Sequence, residues 1–326
     1  MLSRVLLKII ISKKNIMNVG ILTSGGLCPG LNTVIRNVVL KELSMNKYTN
    51  VYGYHSGFHG LNKNIKTRLT EGDVTWIQDK AGTILCTSRE RLSIGEASST
   101  ISTLDKIYCI GGNGTLEAAK LIHKSFFEVN VVGIAKTIDN DIHQLNSFGY
   151  QTAADETSKC IRCAYTEAKS MQCIVFIETM GRNSGFLAAH STQASAGFVD
   201  YCIVPESPID THTMFEHIVH TYDAQNYCVV VVSEGVNYDV LYRRIKEARK
   251  TKRIVPGYIV RSCKPNISDI ILATNMATQA VTKSYVKKNF IQGVDKDISF
   301  DEFETGERML NLDEFKEMTD LHIKHV

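Results

Sequence analysis

The stretch Val19–Asn32, VGILTSGGLCPGLN, passes through three structural states. Val19–Leu22 is a short apolar strand, Thr23-Ser24-Gly25-Gly26 is a turn, and Cys28-Pro29-Gly30-Leu31-Asn32 opens a helix that runs to Leu40. Strand, glycine turn and helix make the βα unit of a parallel sheet. Gly25 and Gly26 remove the side chains that would hold a phosphate away from backbone N–H groups, and the helix start adds the positive end of its dipole. Glycine also suits a plain tight turn. One such loop therefore defines a fold unit without defining a ligand.

The pattern recurs. Ile107–Ile110 is a second apolar strand, followed by Gly111-Gly112-Asn113-Gly114-Thr115 and a helix over Leu116–His123. Two such loops on adjacent parallel strands would meet at the carboxyl edge of the sheet, where α/β proteins place ligands. Together they point to phosphate. Neither has the GxxxxGK[ST] or GxGxxG spacing of the common nucleotide loops.

A third strand, Val131–Ile134, runs into Lys136-Thr137-Ile138-Asp139-Asn140-Asp141. As a solvated turn these residues would be ordinary. At the end of a buried strand, one carboxylate can take a proton from a hydroxyl while the other holds a metal or steers the first. The neighbouring loops favour that chemistry.

Between these units, Gly53–Leu61 is expected to form a strand with its exit loop. Gly82–Arg89 is a polar turn ending in Arg89, whose fork of donors matches phosphate oxygens. Further on, Thr152–Ser170 has helical periodicity, and the strand Ile174–Glu178 leads to Thr179-Met180-Gly181-Arg182-Asn183-Ser184-Gly185. Tyr201–Val204 and Val229–Val232 are buried strands, the latter ending at Ser233-Glu234-Gly235. Pro256–Arg261 and the helix Ile267–Val281 come next. The second half thus builds a second α/β sheet.

Composition sets the outer bounds. The 326 residues suffice for two domains, and 44% hydrophobic with 22% charged residues is ordinary for a globular protein. A net charge of +3 is too small to make nucleic acid or an anionic membrane the main partner. No run approaches the roughly 20 apolar residues of a membrane span. Nine cysteines lack metal-site spacing; Cys160 and Cys163 lie in a helical run with no second pair, so reduced thiols are expected. The basic N-terminal stretch MLSRVLLKIIISKKNIMN has the profile of an organelle-targeting segment, or else Val5–Ile11 extends the first strand and translation starts at Met17. The expected location is the cytoplasm.

Five motifs taken in order, Thr23–Gly26 with Pro29–Asn32, Gly111–Thr115, Lys136–Asp141, Met180-Gly181-Arg182 and Val204-Pro205-Glu206, resemble those of the 6-phosphofructokinase family. The resemblance spans Val19–Val281, and GGLCPGLN resembles the subgroup of plants, protists and some bacteria. It implies the phosphofructokinase fold: two Rossmann-like α/β domains with mainly parallel sheets. A phosphoryl-donor domain would comprise residues 1–150 with 261–310, and a fructose 6-phosphate domain residues 151–260 with 311–326. The implied reaction is phosphoryl transfer from ATP or pyrophosphate to the 1-hydroxyl of fructose 6-phosphate with Mg²⁺, in a homo-oligomer, either dimer or tetramer.

By the same resemblance Asp139 is the base, and Asp141 supports it and the metal. Thr137 hydrogen-bonds the transferring phosphoryl group. Gly25, Gly26, Gly112, Asn113, Gly114, Thr115 and Lys136 face the donor, and Arg89 neutralises charge during transfer. Met180, Gly181, Arg182, Glu234, Tyr258 and Arg261 match sugar-phosphate positions, with Arg261 as the 6-phosphate clamp and Glu234 accepting from sugar hydroxyls.

Several positions depart from the family pattern. Gly114 leaves room for a nucleotide's α-phosphate where pyrophosphate enzymes commonly have Asp, which puts ATP ahead. Lys136 is associated with pyrophosphate use. Asn113 replaces an aspartate that usually helps bind the metal, retaining a carbonyl oxygen but losing charge. Weaker Mg²⁺ binding is the consequence, and with it the alternative of a catalytically weak regulatory homologue. Ala135 replaces a frequent proline. Cys173 stands where many members place an arginine that reaches a neighbouring subunit.

Overall fold

Buried central strands of a parallel sheet are near-continuous apolar runs, and the chain forms its strands where such runs occur. A computed structural model describes residues 16–311, 313, 315 and 316. The targeting segment or strand extension considered for the N-terminus, and most of residues 311–326, lie outside the described residues.

In chain order the first elements are β1 (Asn18–Thr23), α1 (Leu31–Met45), β2 (Asn50–Tyr54), α2 (Phe58–Lys63), β3 (Lys66–Leu69), α3 (Glu71–Val74) and α4 (Ile94–Ile101). Then come β4 (Lys106–Gly111), α5 (Asn113–Ser125), β5 (Asn130–Ala135), α6 (Tyr150–Met171), β6 (Ile174–Thr179), α7 (Phe186–Gln193) and β7 (Tyr201–Ile203). The last are α8 (Thr211–Gln225), β8 (Cys228–Ser233), α9 (Asp239–Ala248), β9 (Thr251–Ile254), α10 (Ile259–Ser262), α11 (Ile267–Ser284), β10 (Phe290–Gln292) and β11 (Asp297–Ser299).

Two sheets result. A seven-stranded sheet has the order β11-β10-β5-β4-β1-β2-β3, parallel except for β3 and β11 at its two ends. The other, β7-β8-β6-β9, is parallel throughout. From β1 the chain steps to β2 on one side and later to β4 on the other. That reversal opens a crevice at the carboxyl ends of β1 and β4, where Thr23 pairs with Ile110. The mixed α/β architecture with mainly parallel sheets is the expected one.

The chain divides into two compact units, residues 1–135 with 270–303 and residues 136–269 with 304–326. The first break falls before Lys136. The loop that begins there is tied to residues just before α6: Lys136 forms a parallel bridge with Phe148, and the Thr137 N–H donates to Ser147 Oγ at 3.2 Å.

In the first unit, the strand with its exit loop expected over Gly53–Leu61 begins within β2, and the part beyond the turn is helix α2. Ser56 and Gly57 adopt positive φ, 57° and 65°, which stops the strand. Phe58, Leu61 and Asn62 then form the buried helical face. Beneath α1 lies a buried ion pair, Lys106 Nζ to Glu42 Oε1 at 2.8 Å. Tyr108 OH donates to the same oxygen at 2.5 Å and Tyr285 OH to Glu42 Oε2 at 2.7 Å. The Lys106 ammonium also lies 4.0 Å from the Tyr285 ring centroid. Burial pulls the Lys106 ammonium below its ordinary range although Glu42 opposes this. Each charge is therefore satisfied, and removing one partner would cost about 3–5 kcal/mol.

The second unit packs Phe176, Val230 and Val232 of its sheet against Met214 and Ile218 of α8 and Leu241 and Ile245 of α9. The edge strands are short in both sheets. β7 and β11 have three residues each, while β3 carries Lys66 and Arg68 and β9 carries Lys252 and Arg253.

Candidate active site

In the first unit the β1 loop is laced to the polar turn that precedes Arg89. Gly25, at φ 89°, donates its N–H to Ser88 O at 2.9 Å, and Thr87 Oγ1 donates to Gly25 O at 2.8 Å. The Ser24 N–H donates to Ile110 O at 3.0 Å, which holds the β1 loop beside the end of β4. Arg89, exposed, comes directly after the docked Ser88. The two glycine loops and Arg89 are thus gathered at one sheet edge.

Past β4, Gly112 caps α5, whose first residues are Asn113 and Gly114, and the Thr115 N–H returns to Gly112 O at 2.9 Å. A Cβ added at Gly111 would strike Thr115 Oγ1 at 2.2 Å, so that glycine serves packing. At Gly114 an added Cβ meets nothing within 4 Å. The helix start is open there.

The second unit carries the carboxylates. Lys136, Thr137, Asp139 and Asp141 are all buried, Asp139 at 7% exposure. Thr137 Oγ1 accepts the Asp139 N–H at 3.0 Å and donates to Asp141 Oδ1 at 2.9 Å, so one hydroxyl fixes both ends of the Asp-x-Asp turn. Asn140, at φ 57°, makes the turn itself. Burial and the Asp141 carboxylate push the Asp139 carboxyl up to about 6. The Arg182 guanidinium, with Nε 3.5 Å from Asp139 Oδ2, pulls the other way without offsetting the desolvation. A carboxyl at that value is ionised near neutral pH and still basic enough to accept a proton.

The β6 exit loop closes against this one. Ser184 Oγ lies 3.2 Å from Asp139 O and 3.0 Å from Gly181 O, donating to these carbonyls. Glu234 Oε1 accepts the N–H groups of Gly181 at 3.2 Å and Arg182 at 2.8 Å. A cleft of about 550 Å³ is lined by Thr179, Met180, Glu234 and the run Val255–Ile259, with Glu178. It brings together three of the sugar-phosphate candidates, Met180, Glu234 and Tyr258. Gly181, Arg182 and Arg261 are not among its lining residues; the N–H groups of Gly181 and Arg182 hold the Glu234 carboxylate, which is. Arg261 stacks its guanidinium 4.4 Å from the Tyr258 ring centroid, and its Nε is buried without a hydrogen-bond partner.

Glu178 and Arg253 escaped the sequence reading. Glu178 Oε2 accepts from Tyr238 OH at 2.7 Å and pairs with Arg253, which lies 4.9 Å from the Tyr238 ring. The available signal was an acid ending an otherwise apolar strand. Cys173 is buried immediately before β6, at the end of the strand opposite Met180–Arg182.

Asp139 and Asp141 offer two carboxylates on one loop. Among the described residues no group of three or more His, Cys, Asp or Glu could hold a metal ion. That donor set fits a Mg²⁺ bound largely by substrate phosphates, and does not fit one enclosed by protein alone. Among the described residues, no helix is long and apolar enough to cross a membrane.

Comparison with known proteins adds names. ATP-dependent 6-phosphofructokinase of Trypanosoma brucei brucei is 33% identical over 305 residues, covering 81% of this chain and 62% of that protein. ATP-dependent 6-phosphofructokinase 1 of Arabidopsis thaliana is 34% identical, covering 80% and 64%. The chain thus spans under two thirds of these two relatives. The ATP-dependent 6-phosphofructokinase of a Sulfurihydrogenibium species is 33% identical, covering 84% of this chain and 86% of that protein. Among solved structures, the pyrophosphate-dependent phosphofructokinase of Marinobacter aquaeolei superposes with a TM-score of 0.81 at 20% identity, over 91% of this chain and 86% of that one. Phosphofructokinase of Saccharomyces cerevisiae gives 0.73 at 22% identity, over 86% of this chain and 44% of that one. The fold is shared with both. The family model described as Phosphofructokinase matches residues 18–283, taking in both glycine loops, the Asp-x-Asp turn and the Met180–Arg182 loop, and the chain belongs to the phosphofructokinase family.

Proposed function

We propose that the protein transfers a phosphoryl group from ATP to the 1-hydroxyl of fructose 6-phosphate, with Asp139 as base. The observation that carries this reading is the buried Asp139 carboxyl beside Arg182, on a turn whose backbone N–H is held by Thr137 Oγ1. Burial pushes that carboxyl up to about 6, as a base near neutral pH requires. Asp139 takes the hydroxyl proton as the oxygen attacks the terminal phosphorus of ATP, and the bond from that phosphorus to the β–γ bridging oxygen breaks to release ADP. Thr137 keeps Asp141 aligned, and Arg182 balances the negative charge of the loop. Met180, Gly181, Arg182, Glu234, Tyr258 and Arg261 hold the sugar phosphate, Arg261 acting on its 6-phosphate with the otherwise unpartnered Nε.

The second unit would accordingly be the acceptor domain. The first would bind the donor through Gly25, Gly26, Gly112, Asn113, Gly114, Thr115 and Arg89. Asp139, Asp141 and the weaker Asn113 are the residues that would hold Mg²⁺, whose charge would stabilise the transferring phosphoryl group. Open space at Gly114 supports a nucleotide donor, as do the names of the relatives.

A second reading, pyrophosphate as donor, is favoured by Lys136, buried at the head of the base loop. Asn113 in place of an acid favours a third, a weak regulatory homologue. Purified protein with fructose 6-phosphate, Mg²⁺ and either donor separates them. Turnover with ATP is expected; turnover with pyrophosphate alone overturns the first reading, and none with either donor leaves the third.

A further inference from the structure

The Val204-Pro205-Glu206 motif has no part in the reaction just described, yet its carboxylate stands at a junction. Glu206 Oε1 accepts two backbone N–H groups, from Gly185 and from Leu310, each at 2.9 Å. Gly185 is the cap of α7 and closes the loop that carries Met180–Arg182. Leu310, itself buried, ends a C-terminal strap that begins at Glu304.

That strap is fastened to the base loop at several points. The Arg308 N–H donates to Asp141 O at 2.8 Å, Glu307 bridges Ile142 in antiparallel fashion, and the Glu304 N–H donates to Gln144 Oε1 at 3.1 Å. Arg308 Nη1 reaches Asn146 Oδ1 at 3.2 Å, and its guanidinium lies 4.9 Å from the Phe186 ring. To the β6 exit loop the strap is joined by Asn183 Nδ2 donating to Glu307 Oε2 at 2.9 Å. One oxygen of Glu206 thus ties α7 to a segment that also grips the loop of Asp139 and Asp141.

We infer that Glu206 is a positioning residue, which through the strap Glu304–Leu310 holds the base loop and the sugar-phosphate loop in one frame. The inference rests on the proposed roles of Asp139 and of Met180–Arg182. Physically, a carboxylate accepts N–H groups more strongly than a neutral oxygen does. Its removal leaves two N–H groups in a packed region without an acceptor, and the strap loses its C-terminal anchor. Small displacements of reacting groups are enough to lower rates by an order of magnitude or more.

The test uses the full chain with Glu206→Ala and Glu206→Gln, assayed with fructose 6-phosphate, Mg²⁺ and ATP. For Glu206→Ala, kcat is expected to fall about tenfold and KM for fructose 6-phosphate to rise about threefold. Glu206→Gln, which keeps an acceptor oxygen, is expected to stay within about threefold of the parent. Hydrogen exchange read by mass spectrometry supplies a measure independent of turnover. Amides of residues 137–148, 181–186 and 304–311 should exchange faster together in Glu206→Ala, while α8 is unchanged.

Exchange confined to α7 with kcat and KM unaltered would reduce Glu206 to a helix anchor and overturn the inference. So would Gln behaving like Ala. Should Glu206→Ala fail to fold, Arg308→Ala decides: coupled acceleration in 137–148 and 181–186 supports the strap, and unchanged exchange there overturns it. An inactive parent protein would sink the proposed reaction while leaving the exchange result to judge the strap.

Discussion

Gly114 and Gly235 both come after strands of parallel sheets, and both lack a side chain for opposite reasons. A Cβ at Gly114 meets nothing within 4 Å, whereas at Gly235 it would stand 2.3 Å from the carbonyl oxygen of Arg182 and 2.9 Å from Pro205. Gly181 and Gly185 resemble Gly235, with contacts of 2.7 Å to Ser184 O and 2.5 Å to Val204. At Gly114 the missing side chain leaves space that a ligand can take, unlike Gly111 of the same loop, which serves packing. At Gly181, Gly185 and Gly235 the same lack lets loops close on one another. A loop that binds through its backbone must stay open, while loops that aim side chains gain from being locked.

The sharpest way to break this contrast is at the locked loop. Asp139→Ser is expected to lower kcat by about 10³-fold, within the range for losing a general base, while fructose 6-phosphate binding stays close to normal. Steady-state kinetics with direct binding measurements check it, and a near-normal rate removes Asp139 from the base role. Gly235→Ala should destabilise the fold by about 2 kcal/mol through overpacking, seen as a lower urea midpoint. Gly114→Ala should shift that midpoint by no more than about 0.5 kcal/mol. Equal shifts in the two variants would dissolve the distinction.

Acid titration probes the same loop. With Asp139 at about 6, kcat/KM should fall about tenfold per pH unit on the acid side of that value. Stability has a definite sign as well. An unfolded aspartate ionises near 3.9 while the folded one keeps its proton to about 6, so the folded chain binds more protons in between. The ligand-free protein should therefore lose stability as pH rises from about 4 to about 6, by roughly 3 kcal/mol from this group, and level off above. Asp139→Asn should abolish that slope in urea titrations run across the window.

A smaller effect on turnover than that of Asp139→Ser is expected at the open loop. Gly114→Asp should reduce kcat/KM about tenfold with ATP and about twofold with pyrophosphate, since the added carboxylate occupies the space beyond the helix start and repels the longer donor more. Equal losses with both donors would show that this space does not select between them.

How much of this was legible in the sequence depends on the physics of each segment. β1, β4, β5, β6 and β8 were readable because strands buried on both faces are apolar throughout, as in Cys228–Ser233, where all six residues are buried. The glycine loops and the Asp-x-Asp turn stood out because their residue types are unusual at strand ends. β3, β9, β10 and β11 were not readable: each has three or four residues with charged or polar positions among them, whereas the equally short β7 lies in the apolar run Tyr201–Val204. Nor was the role of Thr137 as the strut between Asp139 and Asp141, which depends on a side chain folding back on its own loop. The strap Glu304–Leu310 looks like an unpatterned polar tail because it docks largely through backbone N–H groups, which sequence does not display.

The sheet edges have a consequence for assembly. Continuing a sheet from one copy into another needs a row of unpaired backbone groups on an exposed edge. Here the terminal strands are β11 and β3 in one sheet and β7 and β9 in the other, none longer than four residues. The two four-residue edges also place Lys66, Arg68, Lys252 and Arg253 along the line where a second strand would have to lie. Among the described residues the sheets therefore present short edges, two of them charged, which disfavour strand addition from a second copy.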